Sequence, residues 1–358
     1  MTGPAEVRCM LMRGGTSKGA YFLADDLPVE ETARDELLLR VIGSPDPRQI
    51  DGLGGAHPLT SKVAVVSPSA HPEADVDYLF LQVAVDKAEV SDRQNCGNLL
   101  AGVGPFAVER GLVRAGSSET SVRIRMVNSG DFAMATFPTP DGRVDYSGDT
   151  EISGVPGSAA AIVIEFPPRE GQMLPTGNVR DAVGGIEGTC VDNGMPTVLI
   201  PAAALDVTGQ EAPEDLESNR ELAARIHEIR LAAGQLMGLG DVTDTTVPKL
   251  TLLSPPRHGG AVTTRTFIPA RVHTSIGVLG AASVAAGLRI EGSVAQGIAV
   301  LPDGDRLRIE HPSGFTDIES SVDRGQGGLR SRRTAVVRTA RKIFDGTVFP
   351  VPPTGGRS

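Results

Sequence analysis

The order of sequence segments in the first half of the chain recurs in the second half. Four pairs of segments are similar: 7–23 and 188–201, 60–68 and 247–255, 96–102 and 275–281, and 122–125 and 307–310. The offset is 187 residues from Lys62 to Lys249 and 179 residues from Cys96 to Ser275. Insertions the size of surface loops account for this difference. The chain is therefore interpreted as two copies of one unit, and the alternative is chance similarity among short strands rich in Gly and Pro.

Two copies fit the length of the chain, because a single hydrophobic core stops growing at about 250–300 residues and this chain has 358. We expect domains at 1–182 and 183–358, with a soft boundary that strands such as Ala161–Phe166 and 336–343 can cross. Short β-rich runs separated by many of the 43 glycines and 26 prolines predict a sheet-dominated α/β (α+β) fold. Each copy contains one apolar helix rich in small residues, predicted at Gly97–Glu109 and at 276–286, and a longer amphipathic helix is predicted at 218–234.

Charge and composition exclude several classes of function. A net charge of −10 and a pI of about 5.2 argue against a nucleic-acid surface, which needs clustered Lys and Arg. No apolar window is long enough to span a membrane, and the first residues lack the pattern of a signal peptide. The three cysteines form no disulfide framework, so free thiols in the cytoplasm are expected. A homodimer is one oligomeric state that the sequence leaves open.

Cys96 stands at the start of the first apolar helix, within the sequence Asn95-Cys96-Gly97-Asn98. A helix start presents free N–H groups and the positive end of the helix dipole, which favours a thiolate and bound anions. Gly97 allows a ligand close to the backbone, and the two asparagines offer amide donors. The alternative is that the cysteine only fills space.

Lys62 precedes the apolar run 63–66, so its amine is expected to leave a largely buried strand. Burial disfavours the charged ammonium form, and a desolvated lysine can act as a base near neutral pH. The alternative is a lysine at the edge of a strand that extends into water. Lys249, its counterpart in the second copy, is open to the same two interpretations.

A glycine-rich turn lies near the start of the chain. It contains six candidate substrate-binding residues: Arg13, Gly14, Gly15, Thr16, Ser17 and Lys18. The segment lacks the residue order of a phosphate-binding loop, and a strand rather than a helix is expected to follow it. A turn that donates N–H and hydroxyl groups to a carboxylate is the functional interpretation, and a purely structural hairpin is the alternative.

The second copy has no cysteine at its helix start. Its candidate substrate-binding residues are Arg265, His273, Thr274 and Ser275. They suit the binding of a carboxylate better than the transfer of a proton to carbon, although His273 could also act as an acid or simply pack. The six histidines show no metal-binding spacing, so no metal is expected.

Seven segments together resemble the PrpF family of the diaminopimelate epimerase superfamily, and within it the 4-oxalomesaconate isomerases of gallate and protocatechuate degradation. They are 11–19 (LMRGGTSKG), 43–52 (GSPDPRQIDG), 59–62 (LTSK), 95–98 (NCGN), 174–178 (LPTGN), 192–196 (DNGMP) and 291–294 (EGSV). They run in order through almost the whole chain. The resemblance implies a diaminopimelate epimerase-like fold, with two similar β-barrel-like domains that each enclose a central helix and an active site between them.

The same resemblance implies that Lys62 and Cys96 are the catalytic proton-transfer pair. Diaminopimelate epimerases use one cysteine from each domain, whereas Thr274 or Ser275 stands at the second position here. A lysine–thiol pair is therefore expected in place of two thiols. The implied reaction is a 1,3-allylic proton shift on a small tricarboxylate, 4-oxalomesaconate, without a cofactor. The alternatives are isomerisation of 2-methylaconitate or methylitaconate, and a non-catalytic role as an accessory to a dehydratase.

Overall fold

The computed structural model describes residues 6–93, 95–167, 173–243, 245–325 and 328–352. The described part has a mixed α+β fold. It contains seventeen strands and five α-helices, which fall into two compact units. Unit 1 comprises Met1–Ile164 and Arg338–Ser358, and unit 2 comprises Glu165–Val337.

These units differ from the division at residue 182 that the repeat predicts. The last strand, β17 (Gly328–Val348), pairs antiparallel with β1 (Val7–Gly14), which brings the C-terminal segment into unit 1. The strand β8 (Ala161–Phe166) also contains residues of both units. Both divisions fall within strands that the sequence predicts to cross between the copies, 161–166 and 336–343. Sheet pairing, and not sequence distance alone, decides which strands form a unit.

The remaining elements of unit 1 lie between β1 and β8. They are β2 (Ser17–Leu23), α1 (Glu31–Ile42), β3 (Lys62–Pro68), β4 (Val76–Val83), β5 (Val90–Ser91), α2 (Gly97–Glu109), β6 (Glu119–Met126) and β7 (Phe132–Pro138). The pair β2–β3 is parallel and is connected through α1, as a parallel pair requires. The helix α2 has the predicted bounds and packs against β1, β2, β3, β4, β6 and β7. Its residues from Leu99 to Ala107 are all buried, which explains its lack of a polar face.

Unit 2 contains the other elements. They are β9 (Asp181–Val183), β10 (Ile186–Asp192), β11 (Pro196–Pro201), α3 (Pro213–Ser218), α4 (Arg220–Leu236), β12 (Lys249–Ser254), β13 (Val262–Ile268), β14 (Arg271–Val272), α5 (Val278–Arg289), β15 (Arg306–His311) and β16 (Gly314–Gly325). Two predicted helices begin two residues later than expected. Asn219 accepts from the backbone N–H of Leu222 and caps α4, and Gly277 is extended, so α5 begins at Val278.

The strand pairings of unit 1 recur in unit 2 in the same order. In unit 1 the pairs β1–β2, β2–β3, β3–β4, β4–β6 and β6–β7 are antiparallel, parallel, antiparallel, parallel and antiparallel. In unit 2 the pairs β10–β11, β11–β12, β12–β13, β13–β15 and β15–β16 follow the same alternation. Lys62 and Lys249 each begin the third strand of their series. The sequence repeat therefore corresponds to a repeated order of strand pairing.

Candidate active site

The glycine-rich turn of unit 1 lies against the start of α2. Asn98 makes this contact: its Oδ1 accepts from the backbone nitrogen of Thr16 at 3.4 Å, and its Nδ2 donates to the hydroxyl oxygens of Thr16 at 3.1 Å and Ser17 at 3.4 Å. Gly15 has φ +53°, and a Cβ there would overlap Asn98 Oδ1. Glycine is thus required at this turn by both backbone conformation and space.

Cys96 is the N-cap residue of α2, with φ −126° and ψ 98°. Its side chain makes no capping hydrogen bond, and the residue is 9% exposed. Its carbonyl accepts from the backbone nitrogen of Leu100 and from the hydroxyl of the fully buried Tyr78 at 3.3 Å. The backbone of Cys96 is therefore fixed from both sides, while its thiol is free of a capping role.

A second buried tyrosine supports the same helical turn. The hydroxyl of Tyr21, on β2, donates to the carbonyl of Leu99 at 2.6 Å. Burial holds the pKa of both Tyr21 and Tyr78 well above the ordinary value, and the negative charge of a Cys96 thiolate would raise these pKa values further. Both phenols are therefore neutral hydrogen-bond donors throughout the physiological pH range.

Lys62 lies inside the sheet and does not extend into water. It is 7% exposed, its Nζ donates to Gln82 Oε1 at 2.7 Å, and the same atom lies 4.9 Å from the centre of the Phe80 ring. Gly19, its register partner on β2, allows α2 to come close: a Cβ at Gly19 would lie 2.7 Å from both the Lys62 carbonyl oxygen and Leu99 Cδ2. The strand that carries Lys62 and the helix that begins after Cys96 are thus in close contact.

The other predicted residues of unit 1 have structural contacts of their own. Arg13 Nη1 donates to the carbonyl of Gly15 at 2.9 Å and to the carbonyl and hydroxyl oxygens of Thr339 at 3.0 and 2.9 Å. Burial lowers the pKa of Arg13, and Arg341 lowers it further. The guanidinium therefore braces the turn, and its contact with substrate stays a prediction.

Asn95 and Lys18 flank this arrangement. Asn95 is exposed and donates to the hydroxyl of Ser129 at 2.7 Å. Lys18 is half-buried, and its Nζ would lie 3.5 Å from a Cβ placed on Gly55. Contacts of Asn95 and Lys18 with substrate stay predictions.

In unit 2, three of the predicted residues lie just before α5. His273 Nδ1 accepts from the backbone nitrogen of Ser275 at 2.9 Å, and the Ser275 hydroxyl contacts His311 Nε2 at 3.2 Å. Thr274 is exposed, and its carbonyl accepts from the backbone nitrogen of Ser313. Because Nδ1 of His273 accepts, its other ring nitrogen carries the proton of the neutral tautomer.

Arg265 and Lys249 are also in unit 2. Arg265 is 7% exposed and donates to the carbonyls of Glu211 at 2.8 Å and Thr264 at 2.9 Å. Burial lowers the pKa of Arg265, and Glu211 partly offsets this shift. Burial also lowers the pKa of Lys249, with help from the charge of Arg230, to about 8. The pKa of His273 is lowered by burial and then by Lys249. Substrate contacts by Arg265 and His273 stay predictions.

The thiol at the helix start differs from the other two thiols. All three cysteines are free, as expected from the sequence. Burial raises the pKa of Cys9 to about 12, and burial raises that of Cys190 to about 12 as well. Cys9 and Cys190 are therefore protonated core residues, and neither begins a helix.

The described residues offer neither a metal-binding cluster nor a membrane-spanning helix. No cluster of three or more His, Cys, Asp or Glu residues suited to a metal ion occurs in the described ranges. In the same ranges, no helix has the length and apolar character needed to cross a membrane.

Comparison with known proteins shows the family of this chain. The model of the family described as PrpF protein matches residues 5–351, nearly the whole chain. The chain belongs to the PrpF family. Its PrpF relatives include a 4-oxalomesaconate tautomerase of Pseudomonas putida, which is 57% identical over 352 residues, covering 97% of this chain and 96% of the relative. A (4E)-oxalomesaconate Delta-isomerase of Novosphingobium sp. is 57% identical over 347 residues, covering 95% and 96%.

A solved structure supports the fold of this PrpF chain. The crystal structure of methylitaconate-delta-isomerase is 34% identical, covers 96% of each chain and has a TM-score of 0.86. Its sequence identity and its structural similarity extend over the same range. The fold is therefore shared over 96% of the chain.

Four residues that contact Lys62 or the start of α2 were not predicted from the sequence. Gln82 and Phe80 contact the Lys62 amine, and Tyr78 and Tyr21 support the start of α2. Gln82 gave a signal, since it is the only polar residue in the apolar run 78–85. The tyrosines gave none, because buried aromatic residues in strands usually serve packing alone.

Proposed function

We propose that this chain is an isomerase that moves a proton along 4-oxalomesaconate by a 1,3-allylic shift. The observation that carries the proposal is the 57% identity, over nearly the full length of both chains, to two isomerases of that compound. The proposed acid/base pair is Lys62 and Cys96, which come from β3 and from the start of the neighbouring helix α2.

The proposed reaction conserves all atoms and electrons. One member of the pair removes a proton from the carbon next to the conjugated system, and the electron pair of that C–H bond enters the system to give a dienolate. The other member donates a proton to the far carbon, and the double bond is displaced. Carbonyl and carboxylate groups of the substrate already acidify this C–H bond, so the step requires no redox cofactor. The direction of transfer between Lys62 and Cys96 is left open.

Stabilisation of the dienolate charge is the largest contribution that this arrangement can make. In unit 1 the donors for this role are the N–H groups at the start of α2 and the hydroxyl groups of Thr16 and Ser17, which Asn98 holds beside that helix. The backbone N–H groups of Gly15 and Thr16 already donate to Thr339 and Asn98. A helix start binds carboxylates through its backbone N–H groups. Arg265, His273, Thr274 and Ser275 of unit 2 remain proposed carboxylate contacts.

We also propose that the two units are copies of one barrel-like design, each built round one apolar helix. The recurring order of strand pairing supports this interpretation, as does the packing of α2 against six strands of unit 1. In unit 2, α5 packs against β10, β11, β15 and β16, and its residues 280–288 are all buried.

A second candidate substrate is methylitaconate, because the structurally similar crystal structure is that of an isomerase of that compound. The test is a side-by-side measurement of kcat/KM with 4-oxalomesaconate, methylitaconate and 2-methylaconitate. The proposal requires kcat/KM for 4-oxalomesaconate to exceed the other two values by at least tenfold. A preference for either other acid would replace the substrate, and turnover of none, with co-purification of a dehydratase, would favour the accessory role.

A further inference from the structure

The side chain of Gln82 has a fixed orientation beside the amine of Lys62. Its Nε2 donates to three backbone carbonyls, those of Ser61 at 3.0 Å, Pro58 at 3.1 Å and Val83 at 3.3 Å. Three carbonyl acceptors on one side identify that atom as the nitrogen of the amide. The amide oxygen must therefore face the opposite way, where it accepts from Lys62 Nζ at 2.7 Å.

Lys62 and Gln82 are also register partners on adjacent strands. They stand directly opposite each other in the antiparallel pair β3–β4, so the backbone sets the spacing between the two side chains. The Phe80 ring, 4.9 Å from Nζ, covers a second side of the amine. One hydrogen bond and one aromatic face thus leave a restricted set of directions for the remaining N–H group and the lone pair.

We propose that Gln82 is a positioning residue that fixes the Lys62 amine for proton transfer without adding a charge that would favour the ammonium form. This inference rests on the proposed function of Lys62. An amide oxygen accepts an N–H from an amine and from an ammonium alike, so Lys62 can gain and lose a proton while its nitrogen stays in place. A carboxylate at the same position would instead stabilise the ammonium.

The charged and titratable groups on the elements packed against β3 are consistent with this role. They are Lys18 and Tyr21 on β2, Asp25 and Asp26 in the short helix after β2, Asp77 and Tyr78 on β4, and Cys96 and Glu109 at the two ends of α2. Asp77 pairs with Ser67, five residues along β3 from Lys62, or about 16 Å away at the rise of a strand. Glu109 is at the far end of α2, about 18 Å from Gly97 at the rise of a helix.

The second copy supplies an internal comparison. Leu250 pairs with Phe267 in the register of β12 and β13, and continuing this register by one residue sets Ile268 opposite Lys249. In β3 and β4 the residue opposite Lys62 is Gln82. Lys249 therefore begins the equivalent strand with an aliphatic neighbour in place of the amide. Of the two equivalent lysines, Lys62 is the one with a glutamine opposite it, and Lys62 lies in the same unit as Cys96.

The test compares Gln82→Met, which removes the acceptor, with Gln82→Glu, which keeps an oxygen and adds a charge. In Gln82→Met we expect kcat with 4-oxalomesaconate to fall by about 10- to 100-fold, and KM to change by less than threefold. In Gln82→Glu we expect the pH limb that reports Lys62 to move upward by at least one pH unit, since an adjacent opposite charge shifts a pKa by about 1–3 units. Gln235→Glu adds the same charge at an exposed position of α4 and should leave the profile unchanged.

A measurement without substrate separates this inference from the proposed function. The chain has five lysines, so NMR of protein labelled at lysine Cε, assigned with Lys62→Met, follows the titration of Lys62 in the free protein. An upward shift of the Lys62 midpoint in Gln82→Glu supports the inference even if 4-oxalomesaconate is not the substrate. An unchanged midpoint in Gln82→Glu overturns it. So does a folded Gln82→Met whose kcat stays within twofold of wild type on the acid that wild type converts.

Discussion

Asn98 in the first turn of α2 holds Thr16 through both atoms of its side-chain amide, with Oδ1 3.4 Å from the Thr16 nitrogen and Nδ2 3.1 Å from the Thr16 hydroxyl. Segments 82 residues apart in the sequence are thereby joined at one point. The glycine-rich turn and the start of α2 are therefore neighbours. This contact is the basis of the first two predictions.

Asn98→Ala removes three hydrogen bonds, two to Thr16 and one to Ser17, and should lower the free energy of unfolding by about 1.5–4.5 kcal/mol, at about 0.5–1.5 kcal/mol for each bond. Denaturant unfolding measures the change. Asn95→Ala is the matched control, because Asn95 is exposed and its side chain donates to Ser129 alone among the described contacts. Equal destabilisation by the two variants would contradict the contact between turn and helix.

Gly15→Ala should destabilise the chain by more than Gly130→Ala. Both glycines have positive φ, +53° and +77°, so both variants incur about 1 kcal/mol of backbone strain. Only at Gly15 does the new Cβ meet another group, Asn98 Oδ1, since nothing lies within 4 Å of a Cβ at Gly130. Each variant loses some free energy of unfolding relative to wild type, and the difference between the two losses measures the effect of the overlap. Equal losses would show that the turn does not contact α2 closely.

Iodoacetamide at neutral pH should modify Cys96 before the other cysteines and abolish turnover, because burial raises the pKa of Cys9 and Cys190 to about 12 and keeps their thiols protonated. Mass spectrometry of peptides identifies the modified residue. Cys96→Ser should lose both the rapid modification and about 10²–10⁴ of kcat. Rapid labelling of Cys9 or Cys190 in the native protein would contradict this account of the three thiols.

Lys249→Met should increase stability at pH 7. Burial lowers the pKa of Lys249 to about 8 in the folded state, so between about pH 8 and pH 10.5 the unfolded chain binds more protons and stability rises with pH. Below pH 8 the folded state carries the cost of a partly buried ammonium, which methionine removes. Thermal unfolding at pH 7, 8 and 9.5 should show the advantage of Lys249→Met shrinking as pH rises.

Lys87→Met is the control for that series, since Lys87 is exposed and should show no such dependence on pH. An advantage of Lys249→Met that stays constant from pH 7 to pH 9.5 would mean that hydrophobic packing, and not the buried charge, accounts for it.

Part of this structure could be predicted from the sequence. The repeat located equivalent strands, Lys62 and Lys249 do begin equivalent strands, and the bounds of α2 match the apolar run from Gly97 to Glu109. These features depend on local patterns of apolar and small residues, which sequence records directly.

Other features depend on pairing between distant segments. The return of the C-terminal strand to β1 in unit 1 follows from sheet hydrogen bonds that no local pattern encodes. The orientation of Gln82 is set by carbonyls of Pro58 and Ser61, which are more than 20 residues away. A sequence can mark a polar residue in an apolar strand as unusual, but only the fold shows which group satisfies it.

Lys62→Ala should lower kcat by about 10²–10⁴, the range for loss of a general acid or base, with the protein still folded. Lys62 is the residue of β3 that is proposed to exchange a proton with a carbon of the substrate, and alanine has no group that can do so. Lys87→Ala, at an exposed position, is the control and should keep the wild-type rate. Similar rates for wild type and Lys62→Ala would remove Lys62 from the mechanism.

NMR of 4-oxalomesaconate in D2O with wild type, Lys62→Ala and Cys96→Ala tests proton transfer by Lys62 and Cys96 most directly. We expect wild type to isomerise the compound and to incorporate deuterium at the carbon that gains the proton. We expect each variant to lose both isomerisation and deuterium incorporation. Wild type that leaves 4-oxalomesaconate unchanged, or variants that incorporate deuterium at the wild-type rate, would contradict this mechanism.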